Sequence, residues 1–190
     1  MVELKKIYWD SCVWISVIND EPGRVEICQY LLDCANKREV EIWTSSLTLA
    51  EVFKKKCGAL TVAIDPTKDV DFETFIQQDF LVEVQVDHEI GVTARRLLRA
   101  HAELKKPMDA IHLATAVLNN VDEFHTFDGD NLLALNGKVL RKDGKPLHIL
   151  KPAFPAGHQT DLLPKGTEAV VEPLAAAEVT TPGAQAGSSK

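Results

Sequence analysis

The sequence has no apolar run near the ~18 residues that a membrane-spanning helix requires. Its first residues, MVELKKIYWD, lack the long apolar stretch and small-residue cleavage site of a secretory signal. The expectation is a cytoplasmic protein without a membrane anchor. Its four cysteines, Cys12, Cys28, Cys34 and Cys57, form no C-x-x-C pair, which argues against a zinc site. Without a secretory signal, buried reduced thiols are the expected state rather than disulfides. No G-x-x-x-x-G-K-[ST] phosphate loop is present, and no nucleophilic Asp-x-Asp ends the first strand-like segment. Net positive charge is also missing: the formal charge of the 190 residues is −7, where a nucleic-acid binder is usually basic.

What is there is an ordinary globular composition, with 45% apolar and 26% charged residues, enough for one domain with its own core. Composition shifts near Pro152. From Ala153 to Lys190 the chain is rich in Ala, Pro, Gly, Thr and Glu and nearly free of aromatics, so it reads as a tail unable to bury enough surface to order itself. A short amphipathic piece around Thr167–Leu174 is the exception. The domain reading is therefore 1–152 and then a tail, 153–190.

Within the body, strand-like and helix-like segments alternate. KIYWD (6–10), EIWTS (41–45), LVEVQV (81–86), EFHTFD (123–128) and LHILKP (147–152) read as strands. Between them lie a short helix over Val13–Ile18 and a helical stripe at positions 25, 28, 31, 32 and 35. A helix capped by Ser45 or Ser46 is expected to run to about Cys57, stopped by Gly58, with Leu47, Ala50 and Phe53 on its apolar side. FETFIQQDF, a helix capped by Asp87, MDAIHLATAVLNN and DNLLALN complete the set. The alternation predicts an α/β fold, a three-layer sandwich with a mostly parallel central sheet. In such sheets ligands bind beyond the carboxyl ends of the strands.

Four carboxylates stand in awkward places. Asp10 interrupts IYWDSCVWI, where an unpaired charge against apolar surface is costly. Asp109 opens an apolar helix behind Pro107, Asp128 ends a strand, and Glu51 comes after a strand on the next helix. Each has an ordinary alternative. Asp10 and Asp109 suit helix starts, Asp128-Gly129 suits a turn with Asp130 capping DNLLALN, and Glu51 suits a solvated helix flank. His112 fits either a packing role or the lining of a site. Those alternatives leave the joint placement unexplained. All four carboxylates lie near strand ends on one edge of the sheet, where they would repel without a divalent cation. Hard oxygen ligands select Mg²⁺ or Mn²⁺.

The order and context of these residues resemble the PIN domain. The matching pieces are a strand ending in Asp10-Ser11, a Ser46-x-x-x-x-Glu51 segment, Asp109 in an Asp-Ala-x-x-x-Ala helix, and Thr126-x-Asp128. The resemblance covers about residues 6–150 and implies a PIN-like fold. Small stand-alone proteins of this kind are mostly VapC-type toxins of type II toxin–antitoxin pairs. For this chain that implies a Mg²⁺-dependent ribonuclease, a homodimer, an RNA substrate and a cognate antitoxin. Asp10 and Asp109 would bind the metal most directly, Asp128 and Glu51 would complete the site, and Ser11, Ser46 and Thr126 would orient carboxylates or waters. Arg95 and Arg99, one turn apart on a helix, would contact RNA phosphates, with Lys54, Lys55, Lys56, Lys105 and Lys106 adding to the basic surface. An RNA-processing nuclease without an antitoxin, or a catalytically idle PIN-like binding module, shares the same pattern. Cys12 departs from the family, which often has Asn or Ser there, and the segment 58–80 and the tail exceed what a minimal toxin needs.

Overall fold

A computed structural model describes residues 4–57, 60–129 and 131–155, with the backbone alone for 54–57, 60 and 61. The expected tail therefore lies outside the described residues beyond Pro155, as do Asp130 and the piece at 167–174. Among the described residues no helix is long and apolar enough to cross a membrane.

Among the described residues, seven strands and six α-helices run in the order β1 (Lys5–Trp9), α1 (Ser11–Ile18), α2 (Val25–Asn36), β2 (Val40–Ser45), α3 (Leu47–Glu51), β3 (Lys54–Cys57), β4 (Leu60–Ala63), α4 (Pro66–Phe75), β5 (Leu81–Val84), α5 (His88–Ala100), α6 (Pro107–Leu118), β6 (Glu123–His125) and β7 (His148–Leu150). A 3₁₀ turn, Leu133–Leu135, precedes β7. Five strands form one sheet in the order β5-β2-β1-β6-β7, and every pairing in it is parallel. The mostly parallel sheet expected from the alternation is thus entirely parallel.

Side chains alternate across β1, as the pleat requires. Ile7 and Trp9 enter one core with Val13, Trp14, Cys28 and Leu31. Tyr8 enters the other with Ile90, Ala94, Leu113, Ala114 and Phe124. Each face of the sheet is therefore covered by helices, which makes three layers. The stripe expected on α2 is buried at Val25, Cys28, Leu31, Leu32 and Ala35. Beyond the last strand, the ring of Phe154 lies 5.5 Å from that of Tyr30.

Several expected boundaries are corrected. The helix after β2 does not reach Cys57. It ends at Glu51, where Val52 leaves helical geometry at φ −88° and ψ 66°. The lysines 54–56 then lie on β3, which pairs antiparallel with β4, Lys54 opposite Ala63 and Cys57 opposite Leu60. Nor is the expected apolar side of α3 the buried one. Thr48 and Val52 are buried, whereas Ala50 and Phe53 are exposed and Leu47 is half-buried. The Thr48 hydroxyl bonds the Thr44 hydroxyl at 2.9 Å, so a polar contact beneath the sheet end sets the helix's roll. The helix expected at FETFIQQDF begins earlier, at Pro66, because Asp65 caps it by accepting from Thr67 N at 2.9 Å. The strand expected over 123–128 stops at His125, and DNLLALN keeps only the 3₁₀ turn.

The chain runs outward from β1 to β2 and β5, then returns to the other side of β1 to form β6 and β7. The connections diverge at the carboxyl ends of β1 and β6. That topological switch point leaves a crevice where ligands bind in open α/β sheets.

Candidate metal centre at the switch point

Asp10 is the first residue past β1, and it caps α1. One oxygen, Oδ1, accepts from Cys12 N at 3.1 Å and Val13 N at 3.2 Å. The cap role and the strand-end position are therefore held by the same residue. Only 5% of Asp10 is exposed. Burial raises its pKa, partly offset by bonds from the Cys12 thiol and the Thr126 hydroxyl.

Cys12 ties the two strand ends together. Its thiol donates to Asp10 Oδ1 at 2.8 Å, and its sulfur accepts from Phe127 N at 2.9 Å. Burial, with Asp10 next to it, pushes the thiol pKa well up, so it stays protonated and can donate. The buried Thr126 hydroxyl accepts from Asp128 N at 2.9 Å and so shapes the turn that presents Asp128.

Asp109 lies in the first turn of α6, where the helix dipole favours a carboxylate. Its Oδ2 is buried and has no hydrogen-bond donor; Lys106 Nζ stands 3.8 Å away, within ion-pair range only. Burial raises the pKa of Asp109, and the charges of Asp128 and Asp10 push it further up against the pull of Lys106. Lys106 in turn is raised, first by Asp109 and also by Asp128 and Glu51. The four predicted carboxylates thus share one electrostatic neighbourhood.

Glu51 reaches it from α3 and is held by a network that local sequence did not reveal. Ser11 Oγ donates to Glu51 Oε2, and His112 Nε2 lies 2.6 Å from the same oxygen. His112 Nε2 is also 3.1 Å from Ser11 Oγ, and its Nδ1 is 2.7 Å from the Tyr8 hydroxyl. Burial alone would raise the pKa of Glu51, but the bonds from His112 and Ser11 outweigh it and leave the carboxyl lowered. Glu51 is therefore an anchored carboxylate, not a solvated helix flank.

Two residues carry more of the site than their local sequence suggests. His112 sits three residues after Asp109, hence on the same helix face, and that spacing is its one signal in the sequence. Lys106, expected on the basic surface, stands instead among the carboxylates. Ser46 is placed differently from Ser11 and Thr126: its hydroxyl accepts from Val86 N at 3.3 Å. Arg95 and Arg99 are exposed on α5, and no ion pair links either to Asp10, Glu51 or Asp109.

The donor chemistry suits a hard divalent cation. The carboxylates offer oxygen only, and one buried oxygen, Asp109 Oδ2, has no donor to satisfy it. Among the described residues no three acidic, His or Cys side chains are close enough to share one ion as they stand. The cluster fits in chemistry and charge without being drawn tight.

The sequence model of the PIN domain matches residues 7–137. No curated protein matches the chain significantly. Among solved structures, the chain is similar to Mycobacterium tuberculosis VapC20, described as a sarcin-ricin-loop-cleaving toxin. Identity is 20%, with a TM-score of 0.52 over 67% of this chain and 94% of that one. It is similar to a toxin–antitoxin complex from Klebsiella pneumoniae at 17% identity and TM-score 0.53, covering 78% of this chain and 99% of that one. VapBC2 from Rickettsia felis, bound to a DNA fragment from its promoter, matches at 14% identity and TM-score 0.52, over 76% and 98%. At these identities the likeness is one of fold.

Proposed function

Because the chain belongs to the PIN-domain family, we propose that it is a Mg²⁺- or Mn²⁺-dependent ribonuclease and the toxin of a type II toxin–antitoxin pair. One observation supports the reading above all: at the switch point Lys106 Nζ lies 3.5 Å from Asp128 Oδ2 and 3.8 Å from Asp109 Oδ2, and Asp109 Oδ2 is buried without a hydrogen-bond donor. A divalent ion would supply the means to activate water and to offset charge on the scissile phosphate.

In this reading Asp10 and Asp109 hold the ion most directly, and Asp128 and Glu51 complete its surroundings, directly or through water. Ser11 and His112 keep Glu51 facing the site. Cys12 and Thr126 keep Asp10 and Asp128 in register across the β1 and β6 ends. Arg95 and Arg99 offer exposed cations for RNA phosphates, which answers the acidic net charge locally. The toxin–antitoxin complexes of similar fold support a cognate antitoxin as the partner, and VapC20 supports RNA as the substrate class.

The test is cleavage of single-stranded RNA with Mg²⁺ or Mn²⁺, against the same reaction in EDTA. Asp10→Asn and Asp109→Asn should each lower the rate on the order of a hundredfold or more, since each removes a charged ion ligand. Full activity in either variant, or cleavage indifferent to EDTA, overturns the assignment.

A further inference from the structure

Lys106 occupies the N-cap position of α6, but its side chain makes no capping bond. Instead its Nζ lies 3.5 Å from Asp128 Oδ2 and 3.8 Å from Asp109 Oδ2. Those carboxylates come from different elements, α6 and the segment after β6, so one ammonium is shared between the two sides of the crevice. A lysine with 61% of its side chain exposed has much freedom to lose by settling there. The attraction comes from the negative charge that α6 and the β6 end bring together. The same surroundings would attract a divalent ion, and the carboxylates as they stand are not closed around a common centre.

We propose that Lys106 is the resident counter-ion of the carboxylate cluster, holding the gap between Asp109 and Asp128 until a divalent cation displaces it. The inference rests on the metal reading above. It makes Lys106 a positioning residue that sets metal affinity, not a group that acts on substrate. While Lys106 is in place, it relieves repulsion among the acids. An entering ion must break both of its ion pairs, and an ammonium left beside a dication opposes binding further. Two ion pairs made by an exposed lysine together weigh roughly a factor of two to thirty in affinity.

The experiment measures Mn²⁺ binding to the full chain, through the electron paramagnetic resonance signal of free Mn²⁺. It compares wild type with Lys106→Met, Lys106→Arg and Asp109→Asn. Lys106→Met should bind Mn²⁺ severalfold more tightly, and in EDTA it should melt below wild type. Lys106→Arg, which keeps the charge, should stay near wild type on both measures. Equal or weaker Mn²⁺ binding by Lys106→Met overturns the proposal, as does a Lys106→Arg protein that behaves like the methionine variant. A different failure marks the metal reading itself: no Mn²⁺ binding by any variant, or Asp109→Asn binding as tightly as wild type.

Discussion

Replacing His112 with alanine tests the network that positions Glu51. The ring loses the Tyr8 hydroxyl at 2.7 Å, Glu51 Oε2 at 2.6 Å and Ser11 Oγ at 3.1 Å. Ser11 directs its proton to Glu51, so Nε2 carries the hydrogen that faces the carboxylate. In the neutral ring Nδ1 then accepts from Tyr8. Without the imidazole the fully buried Tyr8 hydroxyl loses this partner but keeps Ser45 and Thr115, so the loss is that of one hydrogen bond, about 0.5–1.5 kcal/mol. The charged bond to Glu51 is worth a further ~1.5–3 kcal/mol, because the histidine side chain is 3% exposed and the glutamate 26%. His112→Ala should therefore lose about 2–4.5 kcal/mol. Urea unfolding near neutral pH, monitored by tryptophan fluorescence, reads this directly. A double-mutant cycle with Glu51→Ala should return a coupling of about 1.5–3 kcal/mol. A loss under about 1 kcal/mol, or a coupling near zero, would refute the network and return His112 to simple packing.

The same geometry makes two further outcomes checkable. Cys12→Ser keeps a small donor and acceptor between Asp10 Oδ1 and Phe127 N, and should fall within about 1 kcal/mol of wild type. Cys12→Val leaves Phe127 N unpaired and should cost about 1–3 kcal/mol while weakening Mn²⁺ binding; equal stability of the two variants contradicts the bridging role. At the amino ends of the strands, the bond to His125 holds the Glu123 carboxyl down at about 2, with Lys5 assisting against burial. A depressed carboxyl stabilises the fold above its unfolded value near 4.5, and that contribution disappears as pH falls through about 2. Wild type should thus exceed Glu123→Gln by about 2–3 kcal/mol at neutral pH, with the gap closing in acid. A gap that urea titrations find independent of pH refutes the assignment.

Local pattern was enough to identify the parallel α/β architecture, because strand and helix periodicities alternate and each strand's turn residues lie nearby. It also marked Asp10, Asp109 and Asp128 as candidates, because a carboxylate set in apolar sequence at a strand end or helix start stands out, whereas Glu51 was a candidate chiefly through the resemblance to the PIN domain. The β3–β4 hairpin was not legible. Three lysines just past a helix look like its continuation, and only pairing with residues 60–63 makes them a strand. The supports of the candidate site were hidden for the same reason. The Tyr8–His112 contact joins residues 104 positions apart, His112–Glu51 joins residues 61 apart, and Cys12–Phe127 joins residues 115 apart. Sequence alone proposed Asp10, Glu51, Asp109 and Asp128 as the acids of a metal site; tertiary structure decided which partners each of them bonds and placed Lys106 between Asp109 and Asp128. The physical reason is that charge and periodicity are properties of short segments, whereas hydrogen-bond partners and counter-ions are chosen by whichever distant elements the sheet order brings together.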